Sequence, residues 1–332
     1  MTTTQNNWQR YCDVLLAAGM ALIGVACVPP GGSQSSDAAQ DEPVDVRHVS
    51  GDICGKTTQQ LFKACGLAAR EDAQVASANC LNLTNPQAAE DCISAAEEAR
   101  DGAVEECAIV REARDQVCVK LGGGVYDPVI DPKNFVAGIT NRYTPFPVGA
   151  VREYEKQTPE GLETIRIEVL PETRKIMGVT VTTLRDTVKL NGVLVEDTKD
   201  WLAQDTQDNV WYMGEIVQNF ENGLLENLDG SFEAGKAGAK AGFWTTGAPQ
   251  VGDFYRQEWA LSVAEDVVEV LDLDSKDPGV PFSGNDVKVL KVRATTPMSP
   301  VVEIKYYVPG IGFVLEVKPA TGEVLKLVRY SN

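Results

Sequence analysis

Six cysteines constrain this chain more than any other feature. Cys54, Cys65, Cys80, Cys92, Cys107 and Cys118 are spaced by 11 and then 15 residues towards a common centre, and by 15 and then 11 residues away from it. If residues 56–80 and 86–120 are two antiparallel helices, a residue some way before the bend faces the residue equally far after it. The mirrored spacing therefore predicts the nested bridges Cys54 with Cys118, Cys65 with Cys107, and Cys80 with Cys92. Steps of 11 and 15 are close to whole numbers of turns at about 3.6 residues per turn, so the sulfurs of each arm share one stripe. Bridges within an arm are excluded: 11 helical residues span roughly 16 Å, and a disulfide needs Cα atoms within about 7 Å.

Helices usually pack about 8 to 10 Å apart, so such rungs require close approach. Small residues beside the sulfurs permit it, among them Ala64, Gly66, Ala68, Ala78, Ala95 and Ala108. Asn85 is placed to cap the second helix, Pro86 suits its first position, and Gly122 to Gly124 stop it. A zinc site is the alternative for clustered cysteines, but it favours short C-x2-C spacings with histidine nearby, and neither occurs here. Stability alone explains the staples, because a hairpin of this size buries little core and each bridge contributes about 2 to 4 kcal/mol.

Arg10 precedes an apolar run, Val14 to Ala26, that is too short to span a bilayer and suits the core of a signal peptide over residues 1–26. The run ends Ile23-Gly24-Val25-Ala26-Cys27, which resembles the lipobox of bacterial lipoproteins, with Gly24 where that pattern prefers leucine. An ordinary signal peptide is the competing reading, since Gly24-x-Ala26 also satisfies the small-residue rule. Parity favours lipid on Cys27, because it would otherwise be an odd thiol in an oxidising compartment. Residues 27–50 then read as a polar tether that carries His48, the single histidine of the chain.

A net charge of −18 argues against a nucleic-acid partner, which needs clustered Lys and Arg, and against an anionic lipid surface except through a covalent anchor. The expected partners are thus a membrane through the lipid anchor only, and an apolar small molecule or an envelope protein. The bacterial cell envelope, outside the cytoplasm, is the expected location, with a secreted soluble form as the alternative.

After the hairpin, assigned to 51–123, the texture changes. From 127 to 331 short alternating segments replace helical periodicity: Ile165, Ile167 and Val169 alternate with Thr164, Arg166 and Glu168, and Val302, Ile304, Tyr306 and Val308 with Glu303 and Lys305. Asn191-Gly192 marks a tight hairpin, Asp205 to Asn209 a turn, Pro309-Gly310 a type II turn, and Pro319 to Gly322 the last hairpin. The expected fold is α+β: a disulfide-stapled antiparallel helical hairpin followed by a large antiparallel β meander of ten to twelve strands. Such a meander curls into a barrel or half-barrel to hide its edges. The glycine-rich stretch 231–247 reads as a loop or short helix over one end.

Four motifs occur in order within the β domain: Asp197 to Asp205 (DTKDWLAQD), Asn209 to Glu215 (NVWYMGE), Val251 to Glu258 (VGDFYRQE) and Lys305 to Gly312 (KYYVPGIG). Together they resemble a family of secreted bacterial β-rich proteins with no assigned activity. That resemblance implies the β fold over about 200 residues and brings no catalytic residues.

Trp201, Trp211, Tyr212, Phe243, Trp244, Tyr255, Trp259, Tyr306 and Tyr307 stand out among the aromatics of this domain. In a curled sheet they either line an apolar cavity or fill the core with polar tips at the rim. Acidic turns at Asp205 and Asp208, at Asp229, and at Asp272, Asp274 and Asp277 carry the oxygen ligands Ca2+ prefers, but solvated turns explain them better. No metal or cofactor is expected. Enzyme chemistry has a poor inventory: neither folded module contains histidine, and there is no G-x-S-x-G elbow or phosphate loop. The leading expectation is a non-enzymatic, envelope-anchored binding module for an apolar ligand. Its rivals are a structural or interaction protein with a solid core, and a hydrolase built on two carboxylates.

Overall fold

The computed structural model describes residues 52–284 and 286–331. The signal segment, Cys27 and the tether all lie outside them. Contacts divide the chain between Tyr126 and Asp127 into a helical unit and a β unit.

The helical unit is a hairpin of α1 (Ile53–Cys80) and α2 (Pro86–Leu121). Helix α1 begins three residues earlier than the spacing suggested, because the Asp52 carboxylate accepts from the Gly55 amide at 2.6 Å and caps it there. Asn85 caps α2 by accepting from Gln87 and Ala88, and Gly122 ends it in the left-handed region at φ 82°. All three nested bridges form: Cys54–Cys118, Cys65–Cys107 and Cys80–Cys92, with Cα separations of 5.6, 5.9 and 5.6 Å. Between the rungs the buried side chains are mostly small, chiefly Ala69, Ala73 and Ala96 with Val117. The helices thus approach too closely to hold a conventional leucine core. Among the described residues no helix is long and apolar enough to cross a membrane.

The β unit is a nearly closed, barrel-shaped antiparallel sheet. Its strands are β1 (Phe135–Val136), β2 (Val151–Thr158), β3 (Gly161–Ile176), β4 (Val179–Leu190), β5 (Val193–Asp205), β6 (Val210–Glu221), β7 (Leu224–Asn227) and β8 (Phe232–Glu233). There follow β9 (Lys240–Thr245), β10 (Phe254–Arg256), β11 (Glu258–Trp259), β12 (Val267–Ser275), β13 (Val289–Thr296), β14 (Ser299–Val308), β15 (Gly312–Lys318) and β16 (Glu323–Ser331). Neighbours run β10-β12-β13-β14-β15-β16-β2-β3-β4-β5-β6-β9-β11, with β1 on β5, and β7 and β8 on β6. Most are joined to their sequence neighbours. The Asn191-Gly192 turn has both residues at positive φ, 51° and 82°, the twist that suits a two-residue hairpin.

The two ends of this order, β10 and β11, are separated in the chain only by Gln257. Phe254–Arg256 pairs with β12 and Glu258–Trp259 with β9, so one short segment stitches the first edge of the sheet to the last. Gly242 on β9 makes the stitch possible: a Cβ there would sit 2.3 Å from the Gln257 carbonyl oxygen. The 231–247 stretch is therefore not a loop or helix over one end; it contributes β8 and β9. Its glycines serve close backbone approach, which composition alone does not distinguish from loop flexibility.

Facing rows fill the interior. Tyr154, Ile165 and Val188 lie side by side across β2 to β4, and the same row continues to Glu196 on β5. The main core includes Leu184, Leu202, Tyr212, Trp244 and Val314. A second cluster, containing Val181, Trp201, Ala203, Trp211 and Met213, lies on the opposite face of β4 to β6, with Ile130 and Phe135 packed against it. Successive side chains of a strand point to opposite faces, so β5 is buried on both sides from Asp200 to Asp205.

Candidate functional site

An open-mouthed cavity of about 500 Å3 is lined by parts of β3, β5, β6 and β8 together with the turn after β8 and the loop after β11. Its volume lies within the range of small-molecule sites, roughly 300 to 1,000 Å3. Its walls come from far apart in the chain. Phe232 reaches it because β8 lies on β6 in the register Glu215 opposite Phe232 and Gly214 opposite Glu233. Gly214 allows that approach, having φ 139° and no Cβ to strike the Phe232 carbonyl at 2.4 Å. Ala237 and Ala239 come from the turn after β8, which is closed by hydrogen bonds from the Gly235 amide to the Ala239 carbonyl and from the Ala239 amide to the Lys236 carbonyl. Ala260, Leu261 and Val263 come from a tight loop in which Ala260 and Ala264 exchange two 2.7 Å hydrogen bonds. Backbone bonds thus fix these two walls.

Charged groups share the lining. The Arg174 guanidinium lies 4.0 Å from the centroid of the Trp201 ring and donates to Glu233 at 2.6 Å, while Lys236 contacts the other Glu233 oxygen at 2.9 Å. Glu215 also lines the cavity, and its carboxyl is held well above the usual range by burial, with the nearby Glu258 and Asp200 acting in the same direction.

Of the aromatics the sequence singled out, Trp201 lines this cavity. Trp211 shares its cluster, its ring tilted against Phe243 at 4.2 Å and its indole N–H donating to Asp205 at 2.9 Å. Tyr212 and Trp244 are on the inner face, edge to face at 5.0 Å, with the Tyr212 hydroxyl donating to Asp200 at 2.5 Å. Tyr255 meets Phe243 at 6.2 Å, and Trp259 lies under the Arg256 guanidinium at 4.1 Å. Tyr306 donates to Asp277 at 2.7 Å, and that carboxylate also pairs with Lys291. These side chains do not converge on one site, because they alternate between the two faces of the sheet.

A charged set that periodicity did not reveal lies inside the barrel. Lys156 and Glu163 are in contact at 2.9 Å, at 2% and 0% side-chain exposure. Lys305 meets Glu303 at 2.9 Å and Glu316 at 3.7 Å, and Lys318 meets Glu303 at 3.6 Å. Burial opposes the Lys305 charge, but Glu303 and Glu316 more than offset this and raise its pKa. Further round the wall other acids lie close to one another. Asp200 is opposite Glu215 in register, burial pushes Asp200 up to about 6, and burial pushes Glu196 up to about 7. Asp186 and Glu258 are raised well above the ordinary range, again mainly by burial. Asp200 and Glu258 are each only 1% exposed, while Glu215, opposite Asp200 in register, reaches the cavity wall.

The acidic turns are occupied by their own chain. Asp205 accepts from the Gln207 and Asn209 amides and from the Asn209 side chain, besides Trp211. Among the described residues no three or more His, Cys, Asp or Glu side chains gather as a metal site.

No protein-family model matches the chain, and no curated protein sequence matches it. Among solved structures, a crystal structure from Bacteroides fragilis, described as that of a protein with a YmcC-like fold, aligns over 58% of this chain and 100% of its own. The identity is 11% and the TM-score 0.33, a likeness too slight to carry an inference about this chain.

Proposed function

We propose that the protein acts outside the cytoplasm and that its β unit is a non-enzymatic binding module, holding a small, largely apolar molecule in the cavity beside Trp201. The cavity itself carries this reading: about 500 Å3, walled by Phe232, Ala239, Leu261 and Val263 and supported by backbone hydrogen bonds. Three disulfides support an oxidising compartment. Lipid on Cys27, with residues 27–50 as tether and the hairpin as spacer, would hold the module at the envelope surface. A hairpin that docks a protein partner is the second reading, favoured by Leu67, Val75 and Ile109, which are more than half exposed.

Native mass spectrometry of protein purified from its own membrane tests the binding reading. The expected result is a lipidated chain with three intact bridges and a co-purifying small molecule, which V263W, by filling the cavity, displaces. An empty species for both proteins, with no added apolar probe retained by either, overturns it.

A further inference from the structure

The mouth of this cavity has a sign opposite to that of the protein. The chain as a whole carries −18, yet Arg174 and Lys236 share the single carboxylate of Glu233 at the rim, leaving an excess of one positive charge. Glu233 is mostly buried between them, whereas the Arg174 and Lys236 side chains are 37% and 67% exposed. Arg174 is also positioned, since its guanidinium carbon lies 4.0 Å over the Trp201 ring and its Glu233 bond employs one of the five N–H donors of a guanidinium. Burial holds the carboxyl of Glu215, the other acid of the wall, well above the usual range, which disfavours its charged form. The apolar walls at Phe232, Ala239 and Val263 lie in the same cavity.

Resting on the binding role proposed above, we infer that the ligand is an anionic amphiphile, its tail against the apolar walls and its carboxylate or phosphate head at Arg174 and Lys236. A guanidinium held over an aromatic ring presents a fork that matches either head group. The neighbouring ammonium adds a flexible second charge. Both are near the surface, so the head-group preference weakens as salt screens it.

Calorimetric titration of the full chain with oleate, 1-oleoyl lysophosphatidate, oleyl alcohol and oleylamine, all below their micelle concentrations, tests the inference. At low salt at least one anionic probe is expected to bind about tenfold tighter than the alcohol, with the amine weakest. Oleate and the lysophosphatidate together distinguish a carboxylate site from a phosphate site. In R174Q/K236Q, and to a smaller degree in K236Q, which alters only a solvent-facing side chain, the anionic preference should fall towards unity while alcohol binding persists. Equal binding of alcohol and anions by the wild type, or a preference unchanged in both variants, overturns the head-group assignment and leaves the cavity reading intact. Failure of every probe to bind defeats both.

Discussion

Reduction of the disulfides should melt the helical unit and spare the barrel. In the chain-entropy description, the innermost bridge closes a loop of 12 residues and contributes about 3 kcal/mol at 25 °C. With it in place, Cys65–Cys107 closes a ring of only twice 15 residues, and Cys54–Cys118 then closes one of twice 11. Each of these adds about 3.5 kcal/mol, so the ladder as a whole contributes about 10 kcal/mol, comparable to the entire stability of a small domain. Apolar burial is a poor substitute: the buried residues beside the sulfurs are chiefly alanines, and one buried methylene contributes about 0.8 kcal/mol. Two signals separate the units. Helicity, followed by far-ultraviolet circular dichroism, arises mainly from α1 and α2, whereas Trp201, Trp211, Trp244 and Trp259 all lie in the β unit and none lies in the hairpin. A thiol reductant should abolish the helical signal and leave tryptophan emission unshifted, and C54S/C118S should lose about 3 to 4 kcal/mol in denaturant. Helicity that survives full reduction would refute the reasoning, as would tryptophan emission that collapses with it.

Inside the barrel, K156M should destabilise by about 3 to 5 kcal/mol in urea unfolding, because it leaves Glu163 buried without its cation, and K156M/E163L should recover most of the loss. Recovery absent from the double variant would show that packing rather than charge is at stake. Glu196 gives a pH dependence of definite sign: its folded pKa, about 7, exceeds the unfolded value of 4.5, so the folded state binds more protons between them. Its contribution is therefore most favourable below about pH 4.5 and is lost as pH rises towards 7. E196Q should be nearly neutral at pH 4.5 and stabilising by about 2 to 3 kcal/mol at pH 8, and an equal effect at both pH values would contradict this. At the seam, G242A should cost more than about 3 kcal/mol and speed backbone amide exchange in β9 to β11, since the added methyl meets the Gln257 carbonyl; unaltered exchange there would argue against the stitch.

The helical hairpin was legible almost to the residue, because cysteine spacing, capping residues and helical periodicity are local properties of the chain. Individual strands and the Asn191-Gly192 turn were legible for the same reason. Alternation announces which side chains share a face, but not what covers that face. Trp201 and Tyr212 both looked like cavity-lining aromatics, yet a register shift between Trp201 and Leu202 and the pleat itself put them on opposite sides of the sheet. Lys156 and Glu163 face each other across the β2–β3 hairpin, a local pairing, and only curling of the sheet puts that pair in the dry interior.

The sequence by itself thus determined the stapled hairpin, the antiparallel β character of the rest and the strongly acidic balance. Tertiary structure alone decided that a segment centred on Gln257 would close the barrel, that 231–247 would supply two strands, and that Arg174, Glu233 and Lys236 would meet beside Trp201. The division has a physical cause. Propensity, capping and bridge spacing act over a few turns or along one hairpin, whereas the cavity and the closing seam arise from strands distant in sequence, whose meeting depends on backbone approach at Gly214 and Gly242.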